Sequence, residues 1–489
     1  LTEKYDLTIR NGTIINSNGS IKADLAINNG KFVAIAEKLM PGDQDIDATG
    51  LWVMPGGIDS HCHVEQISSN GVMTADDFES ATISAAFGGN TTIIPFAAQH
   101  KGMSLPKVVS DYHALAKPKA VIDYGFHLIV SDPTPQALEH DLPALIKSGY
   151  TSFKVYTTYD KIKLDDGQIL DVLEVASKEG ALVMVHAENN DMIKWIAQRL
   201  LDKGLTAPKY HAVAHDPIAE SEATNRVISL SRLLDVPILI VHVSGIEAVK
   251  AIKSAQTLGA PVYAETCPQY LFLKASDIDL EGMQGAMFCC SPPPRDEASQ
   301  EAVWTGLVDG TFQVFSSDHA PYRYDESGKL PNGDKTTFKE MANGVPGIEL
   351  RLPLLFSEGV LKGRMTVHQF VALTSTQHAQ MYGLSHRKGS IAVGLDADLA
   401  LWDPEKKTTI QSKLLHDKVG YSPYEGMHIT GWPVTVINQG QIVIKDNTLQ
   451  VPKGNGEFIP RLRPAPLNQT RKSPERAGFL KSLKHKHIK

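Results

Sequence analysis

The chain is poor in cysteine, in long uncharged apolar runs and in positive charge, and each shortage closes off a class of protein. Only four cysteines, Cys62, Cys267, Cys289 and Cys290, occur in 489 residues. They are too few and too clustered for a secreted disulfide framework, and none forms the C-x-x-C pair of a zinc knuckle, so reduced thiols are expected. No apolar run suggests a membrane span, and the opening stretch, LTEKYDLTIRNG, lacks the apolar core of a signal peptide. Against 48 Lys and Arg stand 55 Asp and Glu, a formal charge of −7, which argues against a strongly basic nucleic-acid surface. What remains is ordinary: 42% hydrophobic and 21% charged residues, with length enough for more than one domain. A soluble, cytoplasmic protein is the expectation.

The texture of the chain changes twice. Over residues 1–53, short runs alternate apolar and polar positions, with Asn-Gly at 11–12, 18–19 and 29–30. Asn-Gly between alternating runs is a strong hairpin signal, because both residues accept positive φ, so an antiparallel sheet is expected. Over residues 54–387, short apolar runs such as TTIIPFA, GFHLIVSD, TSFKVYTTY, ALVMVHAEN, VPILIVHVSG, APVYAETC and FQVFSSDHA alternate with amphipathic stretches such as DGQILDVLEVASKEG and IEAVKAIKSAQTLG. Repeated strand-helix units of this kind predict an α/β fold, a (β/α)₈ TIM-like barrel, whose chemistry belongs at the C-terminal strand ends. Over residues 388–450 the β texture returns, which brings both chain ends into one smaller β-sandwich domain. Residues 451–489 are expected to form a basic, proline-punctuated tail, on the surface or as a subunit-contact arm, with His485 and His487 solvated rather than metal-bound.

Candidate ligands fall at the ends of the apolar runs. In GGIDSHCHVEQ, residues 56–66, alternation on a strand places His61 and His63 on one face with Asp59, and Cys62 on the other. Two imidazoles on one face make a metal clamp. His186 ends LVMVH, His242 follows ILIV, and Asp318 stands beside His319 in FSSDHAP. Lys154 lies inside an apolar strand, where an unpaired ammonium is costly. It is either a neutral amine able to add carbon dioxide, giving a carbamate that reaches two cations, or a lysine paired with a neighbouring carboxylate.

As an ordered set, Asp59-x-His61-x-His63 after PGG, Lys154 in FKVY, His186 in HAEN, His242 in VHVS and Asp318 in SSDHAP resemble the amidohydrolase superfamily, and within it the dihydropyrimidinases and D-hydantoinases. The resemblance runs from about residue 5 to 450. It implies two divalent metal ions, usually zinc, held by His61, His63, His186 and His242. A carboxylated Lys154 and a hydroxide would bridge them, with Asp318 completing the more buried site. It further implies Tyr159 as a donor to the substrate carbonyl, and the backbone groups of Ser291 and Asn343 as holders of the ring imide. Asp318 would carry the proton from hydroxide to the departing ring nitrogen. The activity implied is ring opening of dihydrouracil, dihydrothymine or hydantoins to N-carbamoyl amino acids. The family also implies a homo-oligomer, commonly a tetramer, with a small cyclic amide as its partner and neither nucleic acid nor membrane.

The sequence departs from the pattern in places. Gln269 stands where many relatives have histidine, His215-Asp216 where an Arg-Pro pair is common, and Pro95 where Asp is frequent. Dihydroorotases share the metal site but commonly carry an arginine where this chain has Glu65, an anion expected to repel a substrate carboxylate. Allantoinase, acting on another neutral ureide ring, is the enzymatic alternative. Collapsin-response scaffolds of the same fold lose the metal ligands, all of which are present here. The residues after His63, VEQISSNGVM, are expected to border the pocket for a ring substituent.

Overall fold

A computed structural model describes residues 4–468. A seven-stranded parallel sheet forms most of the molecule's centre, in the order Phe96–Ala98, His127–Ile129, Ser152–Tyr156, Leu182–His186, Ile238–Ile240, Val262–Thr266 and Val314–Phe315. A second parallel sheet, Gly57–Asp59, Asn90–Ile93 and Asp123–Tyr124, continues it. Asn90–Ile93 and Phe96–Ala98 are two halves of one strand interrupted at Pro95, which has no N–H to give a ladder. The curled sheet closes where a bridge joins Cys62 to His319, with the His63 N–H donating to the His319 carbonyl at 2.7 Å. This is the expected barrel, and the strand Asn90–Ile93, which leads into TTIIPFA, is fully buried, as parallel strands covered on both faces are.

Its helices follow local rules. Asp166–Glu179 opens on a reciprocal capping box between Asp165 and Gln168, buries Ile169, Val172, Leu173 and Ala176 at helical spacing, and ends at Gly180 with φ 99°. Ile246–Thr257 likewise buries Ala248, Val249, Ile252 and Ala255.

The chain ends build the smaller unit from two sheets. One holds Lys31–Ala36, Asp24–Asn28, Leu7–Arg10 and Gln44–Asp47. The other runs Thr448–Leu449, Gln441–Lys445, His428–Asn438, Leu399–Thr409, Trp52–Pro55, Thr13–Asn16 and Gly19–Lys22, so strands from both ends pair directly. Leu7, Ile9, Leu25, Ile27, Phe32, Val53, Leu399, Leu401 and Ile437 fill the space between them. The first fifty residues are therefore not one antiparallel sheet. Asn29-Gly30, both at positive φ, makes the expected hairpin. Asn11-Gly12 instead passes the chain from one sheet to the other, and Leu7–Arg10 and Thr13–Asn16 each take a parallel partner.

Lys388 joins the two units. Its ammonium, fully buried, donates to Asp123 of the barrel at 2.6 Å and to Asp398 of the returning sheet at 2.5 Å, with Asp396 at 3.3 Å. Beyond residue 450, Phe458 stacks on Tyr150, and the buried Arg461 donates to Ser152 Oγ at 2.6 Å. Residues 469–489, including His485 and His487, lie outside the described residues.

Candidate active site

Six side chains converge at the C-terminal ends of the barrel strands. His61 Nε2 lies 3.0 Å from Asp318 Oδ1 and 2.9 Å from Lys154 Nζ. His63 Nε2 lies 3.5 Å from the same Asp318 oxygen. His186 Nδ1 and His242 Nε2 are 3.0 Å apart, and the rings of His61 and His242 are 5.5 Å apart. His61, His242 and Asp318 each offer a ligand atom, all within 4.8 Å of one another. His242 at φ 40° and Asp318 at φ 48° occupy the left-handed region, uncommon for residues other than glycine and often found where function demands a particular side-chain aim.

The charge states suit cation binding. Burial depresses His63 to about 4 and holds His242 well below its usual value, helped there by His186, so both are neutral with a lone pair to offer. Burial and Lys154 depress His61, but Glu265 and Asp318 outweigh them and raise it. Burial favours a neutral Asp318, yet the facing histidines keep its carboxyl well below the carboxylate range. Burial brings Lys154 down to about 8, against the pull of Asp318 and Glu265, with the rings of Phe96 and Tyr156 packed on its amine. Of the two alternatives for Lys154, no salt bridge to a carboxylate forms among the described residues; its hydrogen bond goes to His61. The neutral His63 and His242, an ionised carboxylate and an amine close to deprotonation are a donor set that fits divalent ions.

A cavity of about 110 Å³ opens onto this cluster, lined among others by His63, Lys154, Tyr159, His186, His242, Ser291, Asp318 and Asn343. Tyr159 also sits at positive φ, 68°, its carbonyl accepting from the N–H groups of Ile162 and Lys163. Burial pushes its hydroxyl well up from the usual phenol range, with Ser291 and Asn343 pulling the other way. Gln66, Ser68, Ser69, Asn70 and Val72 border the same cavity, as expected of the stretch after His63.

Two expectations are corrected. Asp59 does not share a face with His61 and His63, because the strand ends at Asp59 and alternation stops there. Its Oδ1 accepts from the N–H groups of His61 and Ser317, so it ties the first barrel strand to the last. Glu65 does not present a free anion to the cavity: it pairs with Lys119 at 2.5 Å and accepts from the Phe78 N–H.

Several residues that serve the site escaped the sequence reading. Glu265 Oε1 lies 2.6 Å from His61 Nδ1, Gln66 Oε1 2.8 Å from His63 Nδ1, and Glu188 Oε2 2.7 Å from His186 Nε2. Glu265 closes the apolar run VYAE, the same signal that singled out the histidines. Gln269, one of the departures, donates to Asp318 Oδ2 at 3.3 Å.

With this geometry established, comparison places the chain. The amidohydrolase family matches residues 52–443. The chain belongs to that family, on the branch of the D-hydantoinases and dihydropyrimidinases. It is 44% identical over 458 residues to D-hydantoinase of Geobacillus stearothermophilus, covering 93% of this chain and 96% of that protein. The crystal structure of dihydropyrimidinase from Brevibacillus agri superposes with a TM-score of 0.91 at 41% identity, covering 94% of this chain and 99% of that one. L-hydantoinase from Arthrobacter aurescens, at 26% identity, still gives 0.84 over 94% of this chain and 100% of that one.

Proposed function

We propose that this protein hydrolyses the ring amide of 5,6-dihydropyrimidines and of hydantoins, releasing N-carbamoyl amino acids. The observation that carries the reading is the meeting of His61, His63, Lys154, His186, His242 and Asp318 beside a cavity that also holds Tyr159, in a chain about two-fifths identical to a dihydropyrimidinase. His61 and His63 would hold one divalent ion and His186 and His242 a second, with Lys154, carboxylated, spanning them and Asp318 completing the more buried site. Such ions, usually zinc, supply ionised water at neutral pH and polarise the carbonyl under attack.

The chain's own groups do the rest. Tyr159 donates to the carbonyl oxygen as negative charge develops on it. Backbone groups of Ser291 and Asn343 hold the imide. Asp318 takes the proton of the attacking water and delivers it to the ring nitrogen as the C–N bond breaks, so water's oxygen ends in the new carboxylate. The four cysteines, buried and unpaired, fit a reducing compartment such as the cytoplasm. Among the described residues no helix is long and apolar enough to cross a membrane. Assembly as a homotetramer rests on the family resemblance.

The test is ring opening of dihydrouracil, hydantoin and allantoin by zinc-loaded protein, followed by ultraviolet absorbance, with Asp318→Asn as control. Loss of dihydrouracil or hydantoin, abolished in the variant, supports the proposal. Opening of allantoin alone would replace the substrate, and activity surviving in Asp318→Asn would remove the proton carrier.

A further inference from the structure

The scheme above leaves buried carboxylates beside the site unused, Glu188 among them. Glu188 lies two residues beyond the strand Leu182–His186 and is fully buried. Its Oε2 accepts from His186 Nε2 at 2.7 Å, and its Oε1 from His215 Nδ1 at 2.8 Å. Its backbone is fastened as well: its N–H donates to Thr157 Oγ1 at 3.0 Å, and the Thr157 hydroxyl donates to its carbonyl at 2.7 Å.

An ionised carboxylate can only accept, so each imidazole must carry its proton on the nitrogen that faces Glu188. For His186 this has a consequence across the ring. With hydrogen on Nε2, the lone pair sits on Nδ1, the atom 3.0 Å from His242 Nε2 and turned into the cluster. The other tautomer would aim a proton there. His215 is held in turn. Its carbonyl accepts from the Arg295 guanidinium, which pairs with buried Glu220 at 3.3 Å, and its ring packs on His211 with centroids 4.4 Å apart.

We propose that Glu188 is the positioning residue for the His186–His242 half of the site. By accepting from His186 and His215 at once, it holds His186 in the tautomer whose Nδ1 can bind a divalent ion. The inference rests on the two-ion reading and adds to it a residue that touches neither ion nor substrate. Carboxylates that orient a metal-bound imidazole commonly change metal affinity by about 10–100-fold when lost.

The test reads metal rather than turnover. Glu188→Gln preserves shape, but its single amide oxygen can no longer serve both rings through two carboxylate oxygens. The expected result is that one zinc per chain stays as tight as in the wild type while the other weakens about 10–100-fold in chelator competition. The absorption spectrum of the cobalt-substituted variant should change with it. His215→Leu should weaken the same ion. His215→Arg should restore it, since a cavity of about 250 Å³ beside His215 leaves room for the longer donor. Two ions bound by Glu188→Gln with wild-type affinity and an unchanged cobalt spectrum would overturn the proposal. If that variant does not fold, unchanged affinity in His215→Leu overturns it instead. Wild-type protein that binds no divalent ion sinks the two-ion reading and this inference together, whereas two ions in wild type and variant alike sink this inference alone.

Discussion

Lys154 is the residue on which the site turns. Its amine, lowered to about 8 by burial and without a carboxylate partner, stands 2.9 Å from His61. As a carbamate it would reach both halves of the cluster; as alanine it reaches neither. Lys154→Ala should therefore lose most bound metal and more than about 100-fold of activity, partly restored by small carboxylic acids that imitate the carbamate. Metal analysis with and without such an acid checks this, and wild-type metal content in the variant would end the bridging role. Tyr159→Phe separates chemistry from metal. It should keep both ions while turnover falls about 100–1,000-fold, the usual loss for one donor to a developing oxyanion. An unchanged rate removes Tyr159 from the reaction. A third residue, Asp417, reports on stability. Its burial and the nearby Asp76 push its carboxyl up to about 6. Between about pH 4 and pH 6 the folded protein then binds more protons than the unfolded chain, so this group's contribution to stability falls as pH rises through that window. Asp417→Asn retains an acceptor for the Val419 N–H. It should be about 2 kcal/mol more stable than wild type near neutral pH and equal to it at about pH 4. Denaturant melts at the two pH values decide, and a pH-independent difference would contradict the assignment.

At the scale of elements, the barrel strands and their helices follow from local pattern, and the contacts between units do not. The parallel strands are short, buried on both faces and readable as apolar runs, and each helix buries its apolar stripe against them. Lys388 is the exception that holds elements of the two units together. It sits among Asp123, Asp396 and Asp398, carboxylates brought from the barrel and from the returning sheet. Lys388→Met would leave those carboxylates without their cation in a buried place. The expected loss is about 3–5 kcal/mol, because breaking a buried ion pair by removing one partner leaves the other charge uncompensated. A lowered melting temperature, with metal content per folded molecule unchanged, is the measurement. A melt equal to wild type would show that the cluster relaxes without its lysine.

For the whole molecule, the sandwich built from both chain ends and the ligands gathered from several barrel strands tie folding to metal. His61, Lys154, His186, His242 and Asp318 come from five places in the chain and pack their polar atoms together in the interior. Ions bound there stabilise the folded form alone. Protein stripped by a chelator should lose about 4 kcal/mol for each ion removed, relative to protein kept at a thousandfold excess of free zinc over its dissociation constant. The calorimetric melt should shift down on stripping and return on reloading. A melt insensitive to metal would place the ions outside the folding unit.

What the sequence determined by itself was short in range. Apolar runs and Asn-Gly turns act within a few residues, so the runs that carry or precede His61, His63, Lys154, His186, His242 and Asp318 could be read directly as places for candidate ligands. Tertiary structure decided what depends on distant residues. Glu265 meets His61 across 204 positions, and no local pattern couples them. Asp59 turned to Ser317 across 258 positions, once its strand ended and alternation no longer aimed it. Glu65 lost its role as a free anion to Lys119, 54 residues away. The parallel pairings of Leu7–Arg10 and Thr13–Asn16 likewise needed the third dimension, because turn chemistry marks where a chain bends and not which strand it will lie beside.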